Sequence, residues 1–128
     1  MTLQVDVEVQ GDLLLAIVRG AASFDAALGA AKQVLDAAAK HQVSRILVET
    51  LAVEGVLTTM ERYELALEAV ARADQGKMNP KIAIVGTPPT SDAFCVRVAQ
   101  NRGLTTELFT TRQHALRWLE AWGQSASR

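Results

Sequence analysis

Residues 45–61, Arg45-Ile46-Leu47-Val48-Glu49-Thr50-Leu51-Ala52-Val53-Glu54-Gly55-Val56-Leu57-Thr58-Thr59-Met60-Glu61, decide the fold. Arg45 to Thr50 is an apolar run of strand length, a loop carrying Gly55 follows, and Thr58 with Glu61 has the spacing of a capping box. The helix it opens runs from about Thr59 to Ala73, with Met60, Tyr63, Leu67 and Val70 on its predicted buried stripe. Strand, turn and amphipathic helix in this order make the first half of a parallel crossover unit.

Ahead of this unit, Leu3, Val5, Val7 and Val9 alternate with Gln4, Asp6, Glu8 and Gln10, the two-residue period of an edge strand with one wet face. Gly11-Asp12 is a tight turn, and Leu13 to Arg19 pairs back as a hairpin that ends at Gly20. Phe24, Ala27, Leu28, Ala31, Val34, Leu35 and Ala38 recur at helical spacing up to His41, with Ser23 placed as N-cap.

Behind the unit, Lys81 to Val85 is a further strand, and the turn Gly86-Thr87-Pro88-Pro89-Thr90-Ser91 leads to a helix over Asp92 to Arg102 that Gly103 stops. Thr105 to Phe109 is the last strand. Thr110 with Gln113 caps a closing helix that carries Ala115, Leu116, Leu119 and Trp122 inward. The order is strand, strand, helix, then three strand–helix pairs: one α/β domain over residues 1–122 with a mostly parallel five-stranded sheet and four helices, and a loose tail over 123–128. If the last four strands pair in chain order, the crossover helices share one face. Leu13 to Val18 and Ile82 to Val85 are apolar on both faces, so a curled sheet, a displaced helix, a second subunit or an apolar ligand must cover the other.

At 128 residues the chain is the size of one domain, and 49% hydrophobic with 21% charged residues suits a globular protein. The net charge is -1 and Arg and Lys are spread along the chain instead of clustered, which argues against nucleic acid as a partner. The single cysteine, Cys95, permits no internal disulfide, and no run approaches a membrane span of roughly 20 apolar residues, so a cytoplasmic location without stable membrane insertion is expected.

The element order, together with Arg45-Ile46-Leu47-Val48-Glu49, Val53-Glu54-Gly55-Val56-Leu57-Thr58-Thr59 and Lys81-Ile82-Ala83-Ile84-Val85-Gly86, resembles the STAS domain of anti-sigma-factor antagonists and the broader SpoIIAA-like, Sec14-like group. In the antagonists an Asp-Ser-Ser-Gly turn carries a serine phosphorylated by a partner kinase. Leu57, Thr58, Thr59 and Met60 fall on that turn here, so the hydroxyls survive and the aspartate and glycine do not. The resemblance implies a non-enzymatic regulatory module acting through protein contact, with Thr58, Thr59 and Gly55 as partner or phosphoacceptor candidates. The Sec14-like side implies, alternatively, a carrier or sensor of a lipid-like small molecule held between the sheet and the helix from Thr59, with Met60 and Leu65 as ligand candidates.

Each candidate also has a structural reading. Thr58 is explained as a cap and Gly55 as a turn residue. Gly86 to Asp92 lies where parallel sheets bind ligands but matches no phosphate-binding spacing. Cys95 would need His41 or His114 beside it to act as a nucleophile, and one thiol with two isolated histidines lacks metal-ligand spacing. Glu49 and Glu54 could flank a cleft or be solvated loop charges, and Leu65 and Trp118 could mark a contact surface or the lip of an apolar pocket. No catalytic residue, metal or cofactor is assigned. A protein partner or homodimer is expected.

Overall fold

The computed structural model describes residues 3–77, 79–87 and 93–126, with residues 93 and 121–126 as backbone only. The elements are β1 (Leu3–Gln10), β2 (Leu13–Ala21), α1 (Phe24–His41), β3 (Arg45–Glu54), α2 (Thr59–Gln75), β4 (Lys81–Val85), α3 (Ala93–Asn101), β5 (Thr105–Phe109) and α4 (Arg112–Ala126). The order β1-β2-α1-β3-α2-β4-α3-β5-α4 is the predicted one. The turn residues Pro88 to Asp92, the inward placement of Trp122 and the end of the tail lie outside the described residues or side chains.

The five strands pair in chain order, β1 antiparallel to β2 and the others parallel, so the sheet is mixed. Gly11, at φ 59, begins the two-residue turn between Gln10 and Leu13 and takes the left-handed conformation that a side chain would resist. Asp12 then ties the hairpin to the start of β3. Its carboxylate accepts from the Ser44 backbone N–H at 2.8 Å and from the Ser44 hydroxyl at 2.5 Å. Its carbonyl accepts from the Arg45 N–H at 3.3 Å.

β3 is longer than the sequence suggests. Its pairing with β2 steps from Ile17–Glu49 to Arg19–Ala52, so β3 carries one extra residue, a bulge that breaks the two-residue period around Thr50 and Leu51. Beyond the bulge Ala52 to Glu54 continue as strand against Arg19 to Ala21, and Gly20 lies inside β2 instead of ending it. The Ala22 N–H donates to the Glu54 carbonyl at 2.7 Å and closes this extension.

Because the parallel strands advance in one direction across the sheet, right-handed crossovers put α1, α2 and α3 on one face. α1 packs on α2 and α2 on α3. Leu14, Ala16, Ile46 and Ile82 from the strands meet Val34, Leu35 and Ala38 of α1 in the core of that face. α4 is not a crossover and packs on the opposite face, against β3, β4 and β5. There Ala115 and Leu119 close over Leu47, Ala83 and Val85. Of the four covers open to the doubly apolar strands, the displaced helix is the one used.

Thr111, not Thr110, caps α4: its hydroxyl accepts from the His114 N–H at 3.3 Å. Trp118 of α4 is not at a pocket lip. Its ring stacks tilted on Phe109 at 5.5 Å and lies under the Lys81 ammonium at 4.0 Å. Lys81 is 1% exposed and donates from Nζ to the Trp118 carbonyl at 2.9 Å. Burial, with the Arg45 charge adding to it, lowers its pKa from 10.5 to about 8.

Candidate functional site

Small side chains set the geometry of the crossover face. Ala27, Ala30 and Ala31 of α1, Ala66 and Ala69 of α2 and Ala99 of α3 all turn toward the sheet where bulkier residues would close the gap. α2 packs on α1 and α3, and a cavity of about 240 Å³ remains between the three helices and the sheet. Val18, Val48 and Ile84 form its floor, and its lining is overwhelmingly apolar.

α2 is turned differently from the predicted stripe. Ala66 and Ala73 are its buried residues, and the face shared by Arg62, Leu65, Ala66 and Ala69 lines the cavity. Tyr63, Leu67 and Val70 are half-buried on the flank, and Met60 is 64% exposed and does not line the cavity. The prediction weighted bulk, whereas here alanines face inward and leave the space. Leu65 lines the cavity, so of the two apolar ligand candidates the structure places one at it.

The β3–α2 turn borders the same cavity through Gly55 and Leu57. Gly55 has φ 96, a conformation that disfavours any side chain, and a Cβ there would reach Ala22 at 3.7 Å, an ordinary contact. The glycine therefore serves backbone conformation and not close packing. The capping box of α2 is present in both directions: the Glu61 N–H donates to Thr58 Oγ1 at 3.1 Å, and the Thr58 N–H donates to Glu61 Oε1 at 2.8 Å. Thr59 Oγ1 lies 3.5 Å from Arg62 Nη2. Val56, 53% exposed, lies in this turn and Met60 in the first turn of α2, while Leu51, also 53% exposed, lies in β3.

Few polar groups reach the cavity. The Thr50 hydroxyl donates to the Val85 carbonyl at 2.9 Å. Cys95 lines the wall from α3. His114, exposed on α4, is on the far side of the sheet, and His41 is exposed at the end of α1, so neither is brought to the thiol by the fold. Glu49 is engaged by Arg112 Nε at 2.6 Å and does not form a pair with Glu54. Among the described residues no three His, Cys, Asp or Glu side chains gather as metal ligands, and no helix is long and apolar enough to cross a membrane.

Nothing in the sequence pattern marks Arg62 or the alanine faces as a site. The alanine signal was visible as Ala27 and Ala31 on the inward stripe of α1, but a cavity depends on three helices being small at the same depth.

No family model matches the chain, and no curated protein does. Solved structures do. An anti-sigma factor antagonist from Mycobacterium paratuberculosis superposes with a TM-score of 0.65 at 16% identity, over 93% of this chain and 95% of that one. An uncharacterised protein with a SpoIIAA-like fold from Shewanella loihica superposes with a TM-score of 0.55 at 16% identity, over 92% of this chain and 93% of that one. At this identity the likeness is one of architecture, and it extends across nearly the whole of each chain: the protein has a SpoIIAA-like fold.

Proposed function

We propose that the protein is a non-enzymatic binding module that holds an apolar, lipid-like small molecule in the cavity between the sheet and α1–α3. The observation that carries this reading is the cavity itself: about 240 Å³ lined by alanine, valine, leucine and isoleucine side chains. An engineered apolar cavity of about 150 Å³ stays dry and binds benzene, so a larger space of the same character is suited to a longer hydrocarbon. Gly55 and Leu57 line the cavity and belong to the β3–α2 turn, so an occupant touches the segment through which a regulatory contact would be made.

Native mass spectrometry of gently purified protein tests the reading. A mass excess of a small apolar molecule that vanishes on denaturation is the expected result. A bare polypeptide that also stays bare after incubation with 1-decanol overturns it.

A second reading is favoured by the two exposed apolar side chains, Val56 and Met60, at the turn. Here the module acts by protein contact at Gly55, Thr58 and Thr59, as the likeness to an anti-sigma factor antagonist suggests. A phosphate on Thr58 would sit favourably at the N-terminus of α2, at the expense of the capping box. Under this reading Met60→Ser weakens association with the partner and leaves uptake of 1-decanol unchanged. A variant that associates as well as the parent removes the turn from consideration.

A further inference from the structure

The cavity crosses the sheet, with Val18 of β2, Val48 of β3, Ile84 of β4 and Thr106 of β5 along its wall. β5 is an edge of the sheet, so Thr106 stands at one end of the space. It pairs with Ile82 across the β4–β5 ladder, on the face that α1, α2 and α3 cover, and is 4% exposed. Its backbone is held twice, by the ladder and by Gln100 Nε2 of α3, which donates to the Thr106 carbonyl at 2.7 Å.

Its hydroxyl is used by neither contact. Among the described residues Thr106 Oγ1 has no hydrogen-bond partner, and that oxygen is not sealed in by its neighbours, so it opens on the cavity that Thr106 lines. The other polar or thiol side chains of the wall differ. The Thr50 hydroxyl donates to the Val85 carbonyl, and Arg62 and Cys95 are engaged with other groups of the protein. A strand position explains why the Thr106 hydroxyl is left over: a helical threonine can bond the carbonyl one turn back, whereas strand carbonyls are taken by the ladder.

A hydrocarbon laid against Oγ1 would leave a buried hydroxyl unbonded, which opposes binding. An oxygen of the ligand at that point satisfies it, and because a hydroxyl both donates and accepts, an alcohol and a carbonyl serve equally. Thr106 offers no countercharge, so the matching group is neutral.

We propose that the ligand is a neutral amphiphile, a medium-chain alcohol or carbonyl compound whose oxygen bonds Thr106 and whose hydrocarbon runs across β4 and β3 toward β2. From β5 to β2 is three strand spacings, roughly 14 Å, which suits a chain of about ten carbons. The proposal rests on the apolar-ligand reading and adds to it a head group, its position and the residue that selects it.

The test titrates 1-hexanol and 1-chlorohexane, alike in shape and short enough to dissolve, into the parent protein and into Thr106→Val, with methyl-resolved NMR reporting affinity. Thr106→Val exchanges the hydroxyl for a methyl group. It is expected to weaken 1-hexanol roughly three- to tenfold and to leave 1-chlorohexane no weaker. A parallel change for both, or none for the alcohol, overturns the head-group proposal and leaves the apolar-ligand reading standing. Should the short pair bind too weakly to titrate, 1-decanol must lose the same factor in Thr106→Val, and an unchanged affinity counts against the pairing. Failure of the parent to bind 1-decanol as well sinks the reading beneath it. Thermal unfolding of the empty proteins is an independent check: with no partner to lose, Thr106→Val is expected to unfold no lower than the parent. A clearly lower midpoint, or a variant that does not fold, means that the hydroxyl is already bonded within the protein and overturns the proposal.

Discussion

Ala66→Leu distinguishes a genuine cavity from an ordinary close-packed core by the sign of its effect. Ala66 is buried on α2 and lines the cavity. The substitution adds three carbons, which at about 0.8 kcal/mol per buried methylene contribute up to roughly 2.4 kcal/mol. Rotamer entropy takes back about 0.5–1 kcal/mol, and leucine is marginally the weaker helix former. Where no space exists, the same change overpacks and costs about 1–3 kcal/mol. With about 240 Å³ to fill, the net change is a stabilisation of about 1 kcal/mol, or roughly 3–5 °C in the unfolding midpoint for a chain of this size. Thermal unfolding followed by circular dichroism, with urea midpoints as an independent check, reads it. A fall of several degrees would mean that the alanine faces already meet their neighbours and that no such space exists.

Thr58→Ala removes the acceptor of the Glu61 N–H and is expected to cost about 0.5–2 kcal/mol. Thr58→Asn, which keeps a capping oxygen, should restore most of it, and equal midpoints for the two variants would show that the cap does not matter. Lys81 gives a pH signature. Its pKa of about 8 lies below the ordinary 10.5, so between these values the unfolded chain binds more protons than the folded one and stability rises with pH. The gain across that window is at most about 3 kcal/mol. Urea midpoints from pH 7 to 11 should climb in the parent relative to Lys81→Met, and parallel profiles would contradict the burial account.

Local chemistry made most of the fold legible. Ser23 and the apolar spacing behind it bound α1, the period-two alternation and Gly11 marked the β1–β2 hairpin, and Thr58 with Glu61 fixed the start of α2. What escaped depends on contacts distant in sequence. The bulge near Thr50 hid the second half of β3, because one inserted residue reverses the alternation that identifies a strand. α4 follows the last strand, so no crossover rule assigns it a face, and its position over Leu47 and Val85 emerges from packing. The cavity was hidden for a related reason. Alanine satisfies any helix, and its inward use on α1, α2 and α3 together becomes meaningful once the helices are side by side.

Methyl-resolved NMR during titration with 1-decanol locates a bound molecule, because the two faces of the sheet carry separate sets of reporters. Saturable shifts are expected at Val48, Leu65, Ile84 and Val96, which line the cavity, with Leu47 and Val85 beneath α4 and Leu119 on it unmoved. Shifts confined to the α4 face, or none on either, would contradict a ligand held in the cavity.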